Sequence, residues 1–96
     1  MIRLVMQGPQ EKTTEIFSEQ LSDQLTAAIT ESAETVRLLG PAPAPISKLR
    51  GRFRFHLLLQ AASGKILRSL VAATLQDIKC PGDLQLMIDV DPLSLL

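Results

Sequence analysis

Four cations fall within seven residues in the segment Lys48-Leu49-Arg50-Gly51-Arg52-Phe53-Arg54. Arg50, Arg52 and Arg54 alternate with Gly51 and Phe53. In extended chain the three guanidiniums line one side while Phe53 anchors a core. Their spacing, roughly 6–7 Å, suits the phosphate repeat of a nucleic acid backbone. Gly51 lets a ligand approach the backbone closely. The same guanidiniums suit the carboxylates of an acidic peptide or a docking face for another domain. From the residues alone, phosphate binding and docking stand level.

Other reactive groups are sparse. Ser63-Gly64-Lys65 lacks the upstream glycines of a phosphate-binding loop and reads as a helix start. His56 lies mid-strand with no Ser or Cys partner, so it reads as a residue of the sheet surface. Cys80 is the single cysteine, which excludes an internal disulfide and a multi-thiolate zinc site. Its place at a helix end raises rather than lowers its thiol pKa, so it reads as inert. Asp89 and Asp91 share one face of a strand, but two carboxylates are too few for a dedicated cation site. They read better as edge charges that discourage strand pairing. With three Phe, no Trp and no Tyr, a stacking platform for bases is weakly supported. The chain reads as no enzyme on its own.

Charge is unevenly placed. The formal net charge is zero, yet residues 36–68 carry seven cations and no acid, while residues 9–35 carry a net −5 and residues 69–96 a net −3. A neutral protein so arranged can hold a local positive potential. At 96 residues the chain, 1–96, is one small domain or a piece of something larger, too short for an ATPase motor. No apolar run approaches the ~20 residues that span a bilayer. Met1 to Gly8 is too short for a signal peptide. The expected compartment is the cytoplasm.

The elements follow from periodicity. Ile2, Leu4 and Met6 alternate with Arg3, Val5 and Gln7 in a strand over 2–7 that Gly8-Pro9 stops. From about 10 to 32, Phe17, Leu21, Leu25, Ala28 and Ile29 form one helical stripe, with Glu11, Glu15, Glu19 and Asp23 on another face. Residues 35–39 form a short strand ended by Gly40. Pro41-Ala42-Pro43-Ala44-Pro45 cannot join a ladder and opens a stiff loop that runs to Gly51. Residues 52–60 form the strongest strand, with Phe53, Phe55, Leu57 and Leu59 on one side. Ser63 caps a helix over 64–79 with Ile66, Leu67, Leu70, Val71, Thr74, Leu75 and Ile78 inward. Leu84, Leu86, Ile88 and Val90 face the helices from a last strand.

The fold class is therefore α+β: a βαββαβ, ferredoxin-like split βαβ with a four-stranded antiparallel sheet and two helices on one face. In strand order 4-1-3-2 the open face collects Arg3, Arg37, Arg52, Arg54 and His56, with Gln85 and Asp89 on the last strand. Asp89 and Asp91 are placed to pair with Arg3. The arginines are expected to form one continuous patch.

Three blocks carry a resemblance: Leu39-Gly40-Pro41-Ala42-Pro43-Ala44-Pro45-Ile46, then Leu49-Arg50-Gly51-Arg52-Phe53-Arg54-Phe55 with Leu57-Leu58-Leu59, and last Ile88-Asp89-Val90-Asp91-Pro92 with Ser94-Leu95-Leu96. In order and spacing they resemble the C-terminal end of the primosomal protein N′ family (PriA), bacterial replication-restart DNA helicases. The match covers about 36–96. It implies a domain from the end of a larger helicase, with a fold resembling that of ribosomal protein S10. ATP, Mg and Zn are implied for the parent only, and no cofactor for this chain.

The resemblance implies contacts to branched or forked DNA at Lys48, Arg50, Arg52 and Arg54, and Arg37 shares their expected face. It implies that Lys65 and Arg68, near the start of the second helix, help hold the acidic tail of single-stranded-DNA-binding protein. Other domains of the parent helicase are further implied partners; no membrane is. The alternative is an interdomain or protein-docking module with no DNA affinity of its own. A small-ligand sensor would need a convergent polar pocket, which no motif suggests.

Overall fold

The computed structural model describes residues 1–32 and 35–90, with residues 45–49 as backbone. The order is β1 (Ile2–Gly8), α1 (Glu11–Ser32), β2 (Val36–Leu49), β3 (Arg52–Ala61), α2 (Gly64–Gln76) and β4 (Gln85–Val90). The strands form one antiparallel sheet ordered β2-β3-β1-β4. This is the expected α+β, ferredoxin-like βαββαβ arrangement.

One face of the sheet forms the core. Ile2, Leu4 and Met6 of β1 and Phe55, Leu57 and Leu59 of β3 pack against Phe17, Leu21 and Leu25 of α1 and Leu67, Leu70 and Val71 of α2. Each such side chain contributes about 1.5–3 kcal/mol on burial. Thr14, Ser18 and Thr74 are buried too. Their hydroxyls donate back to the carbonyls of Gln10, Thr14 and Leu70 at 2.7, 2.8 and 2.9 Å, so no polar atom there goes unpaired. Ser63 caps α2 by accepting from the Ile66 N–H at 3.3 Å. The helix ends at Gln76, three residues short of the expected 79.

The largest departure is β2. Residues 40–49 continue the strand and pair with β3, with Ala42 opposite His56, Pro43 opposite Phe55, Lys48 opposite Phe53 and Leu49 opposite Arg52. The Pro-Ala run is thus ladder and not a spacer loop. The reason is position: β2 is an edge strand. An edge strand needs donors on one side only, so prolines at every second residue can turn all their missing N–H groups outward. The register shifts between Leu39 and Ala42 and again between Pro43 and Lys48. At the first shift Gly40 has φ +103°, and a Cβ there would stand 2.8 Å from the His56 carbonyl oxygen. Only glycine fits.

A second departure concerns β4. Leu84 is buried and Leu86 half-buried, but Ile88 and Val90 are 50% and 45% exposed. Alternation sets their face correctly, yet α1 packs on β3, β1 and β2 and α2 on β3, which leaves this edge little covered.

Candidate functional site

Direct partners in an antiparallel ladder share a face, so the registers resolve the open side of the sheet into rows. One row is Arg54, Gln7 and Gln85; the next is Ala42, His56, Val5 and Met87; the next is Leu39, Leu58, Arg3 and Asp89; the last is Arg37 and Gln60. Arg52 precedes the first row on β3, with its own alternation placing it on the same side. Arg3, Arg37, Arg52 and Arg54 therefore do lie on one face, opposite the helices. The arrangement is graded, however. Arg52 and Arg54 stand at one end and Arg3 and Arg37 at the other, with the row of Ala42, His56, Val5 and Met87 between them. Val5 is buried among these neighbours.

The ends differ in how firmly they are held. Arg52 Nη2 donates to the Asp83 carbonyl at 2.9 Å, reaching from β3 past β1 to the loop before β4. It is partly a structural clamp, a long-range contact that local spacing cannot announce. Gln7 Nε2 donates to Gln85 Oε1 at 2.9 Å across the neighbouring row. Arg37 is exposed; Arg3, Arg52 and Arg54 are half-buried. Arg3 stands opposite Asp89 in the register; its expected second partner, Asp91, lies outside the described residues.

Arg50 is not a strand residue. With Gly51 it forms the two-residue turn between Leu49 and Arg52, and both have positive φ, 52° and 77°. Such values match the twist of the hairpin, but a left-handed arginine is unfavourable by about 1–2 kcal/mol. Arg50 is exposed at the tip, so the alternating row starts at Arg52. The Lys48 side chain lies outside the described residues.

His56 lies at the centre of the open face. Burial first, and then the charge of Arg3, push its imidazole below the ordinary value. Its buried Nδ1 has no hydrogen-bond partner, as is true of Arg3 Nε and Arg52 Nε.

Lys65 and Arg68 belong to the other side of the molecule. Both are exposed on α2. Lys65 borders a groove between α1 and α2 that also holds Glu31 and Asp77. Arg68 Nη1 lies 3.2 Å from where a Cβ on Gly64 would be, folded over the helix start. The two cation sets predicted from sequence thus occupy opposite faces. Cys80 Sγ donates to the Leu84 carbonyl at 3.2 Å, and burial pushes its thiol up. Among the described residues no group of three or more His, Cys, Asp or Glu could hold a metal ion, and no helix is long and apolar enough to cross a membrane.

The family model of the primosomal protein N C-terminal domain matches residues 1–93. The replication restart protein PriA of Rickettsia typhi is 36% identical over 78 residues, 79% of this chain and 12% of that protein. The protein of the same name from Synechocystis is 44% identical over 64 residues, 65% of this chain and 7% of that protein. That from Treponema pallidum is 25% identical over 96 residues, 100% of this chain and 14% of that protein. The chain thus spans 14% or less of the length of these relatives.

Proposed function

The chain belongs to the primosomal protein N C-terminal domain family, and from that premise we propose that it is the C-terminal accessory domain of a replication-restart DNA helicase. In this reading it contacts forked or branched DNA through the open sheet face. The observation that carries it is the collection of Arg3, Arg37, Arg52 and Arg54 on one side of a sheet, with Arg50 at the tip of the adjoining turn. Catalysis, ATP, Mg and Zn belong to the rest of the parent, which works in the bacterial cytoplasm at replication forks. Lys65 and Arg68, on the helix side, support the tail of single-stranded-DNA-binding protein.

Phosphate contacts release counterions, so affinity for a forked duplex falls steeply with salt. A titration at two salt concentrations tests this. Arg52→Ala with Arg54→Ala should weaken binding and lower the salt slope by about two. A double variant that binds forks as wild type does removes these residues from the interface.

A second reading is favoured by one observation, the exposed apolar side chains of Met87, Ile88 and Val90 on edge strand β4. A docking module would bury them against another domain of the parent. It predicts little DNA affinity for the isolated chain and a less stable full-length protein on substitution of Ile88.

A further inference from the structure

Along β3 the open face advances by two residues, about 6.8 Å, per row. Arg52 and Arg54 supply a cation to successive rows, and Arg3 supplies one to the row of Leu58. Between Arg54 and Arg3 lies the row of His56, whose neighbours Ala42, Val5 and Met87 carry no charge. Among the described residues His56 is thus the sole ionisable side chain in the gap, and its Nδ1 lacks a partner. The row spacing, roughly 6–7 Å, suits successive phosphates along an extended strand.

We propose that Arg52, Arg54, His56 and Arg3 take consecutive phosphates of one DNA strand running along β3, and that His56 binds as the imidazolium. The inference rests on the nucleic-acid reading above and deepens it: binding takes up a proton. Among the described residues the charged groups on this face are Arg3 from β1, Arg37 from β2, Arg52 and Arg54 from β3, and Asp89 from β4 beside Arg3. In the free chain burial first, and then the charge of Arg3, hold the imidazole below its ordinary value. A phosphate beside the imidazole opposes that repulsion and favours the proton.

Oligothymidylate affinity of the 96-residue chain, measured at about pH 7.5 and pH 5.5, tests the idea, since these bracket the ordinary imidazole range. Wild type should bind about tenfold tighter at the lower pH. His56→Gln should lose that gain and, at the lower pH, lower the salt slope by about 0.7. A proton NMR titration of the wild-type imidazole, with and without the oligonucleotide, supplies a readout independent of the variant's folding; its pKa should rise on binding. Binding that is equally tight at both pH values, a gain retained by His56→Gln, or an imidazole pKa unmoved by the oligonucleotide overturns the proposal while leaving the interface standing. Absence of binding to any DNA at either pH overturns both.

Discussion

The two sides of β3 are made from one run of ten residues and do opposite work. Phe55, Leu57 and Leu59 are buried in the core, each at 6% exposure or less. Arg54, His56 and Leu58, interleaved with them, are half-buried on a face that none of the described elements covers. The inner side has its partners within the molecule and is settled by packing. The outer side keeps positive charges together at a cost in mutual repulsion, and holds Arg52 Nε and His56 Nδ1 buried without partners. Packing alone explains the first arrangement; it does not explain the second. Sites that store unfavourable terms of this kind are where a ligand's compensating charge has most effect.

Substitutions should separate the two sides. The largest effect is expected from Leu57→Ala, which deletes a fully buried side chain; chemical denaturation should show a loss of about 2–5 kcal/mol, with DNA affinity per folded molecule unchanged. Gly40→Ala comes next. Its left-handed backbone and the nearby His56 carbonyl predict a loss of about 1–3 kcal/mol, read from the same unfolding curves.

Arg50→Asn sharpens the contrast, because asparagine tolerates positive φ better. Thermal unfolding should show equal or slightly raised stability, by about 1 kcal/mol at most, while fork affinity falls and the salt slope drops by about one. A variant both less stable and equally good at binding would assign Arg50 to the fold instead.

The smallest effect is that of pH on stability. His56 prefers to be neutral when folded, so the unfolded chain binds the extra proton first. Stability is complete above the ordinary imidazole pKa of about 6.5 and is lost as pH falls from there toward the folded value. Urea midpoints should decline over that window in wild type and decline less in His56→Gln.

Most of the fold was legible because the signals were periodic. Alternation in 2–7 and 52–60 and the four-residue recurrence of Phe17, Leu21 and Leu25 each select one face, and register follows once the faces are known. The second half of β2 was not legible. Proline signals exclusion from a ladder only when both edges of a strand are used, and whether β2 is an edge is a property of the whole sheet. The exposure of Ile88 and Val90 was hidden for a related reason: alternation reveals which side a residue faces, but not whether a helix reaches it.

The candidate site divides the same way. That the arginines share a face follows from spacing within each strand. That Arg50 turns out of line, that Arg52 is tied to the Asp83 carbonyl, and that His56 fills the gap before Arg3 follow from cross-strand register and turn conformation, which no single segment contains.

Lys65 and Arg68 stand on the helix layer, behind the sheet that carries the other cations, in a molecule whose shortest dimension is 18 Å. Two anionic ligands could then sit back to back without competing for space or screening the same charges. Where the two ligands are themselves joined in one assembly, capture of either raises the local concentration of the other with no change of shape. Thinness itself would make such a plate a coupler.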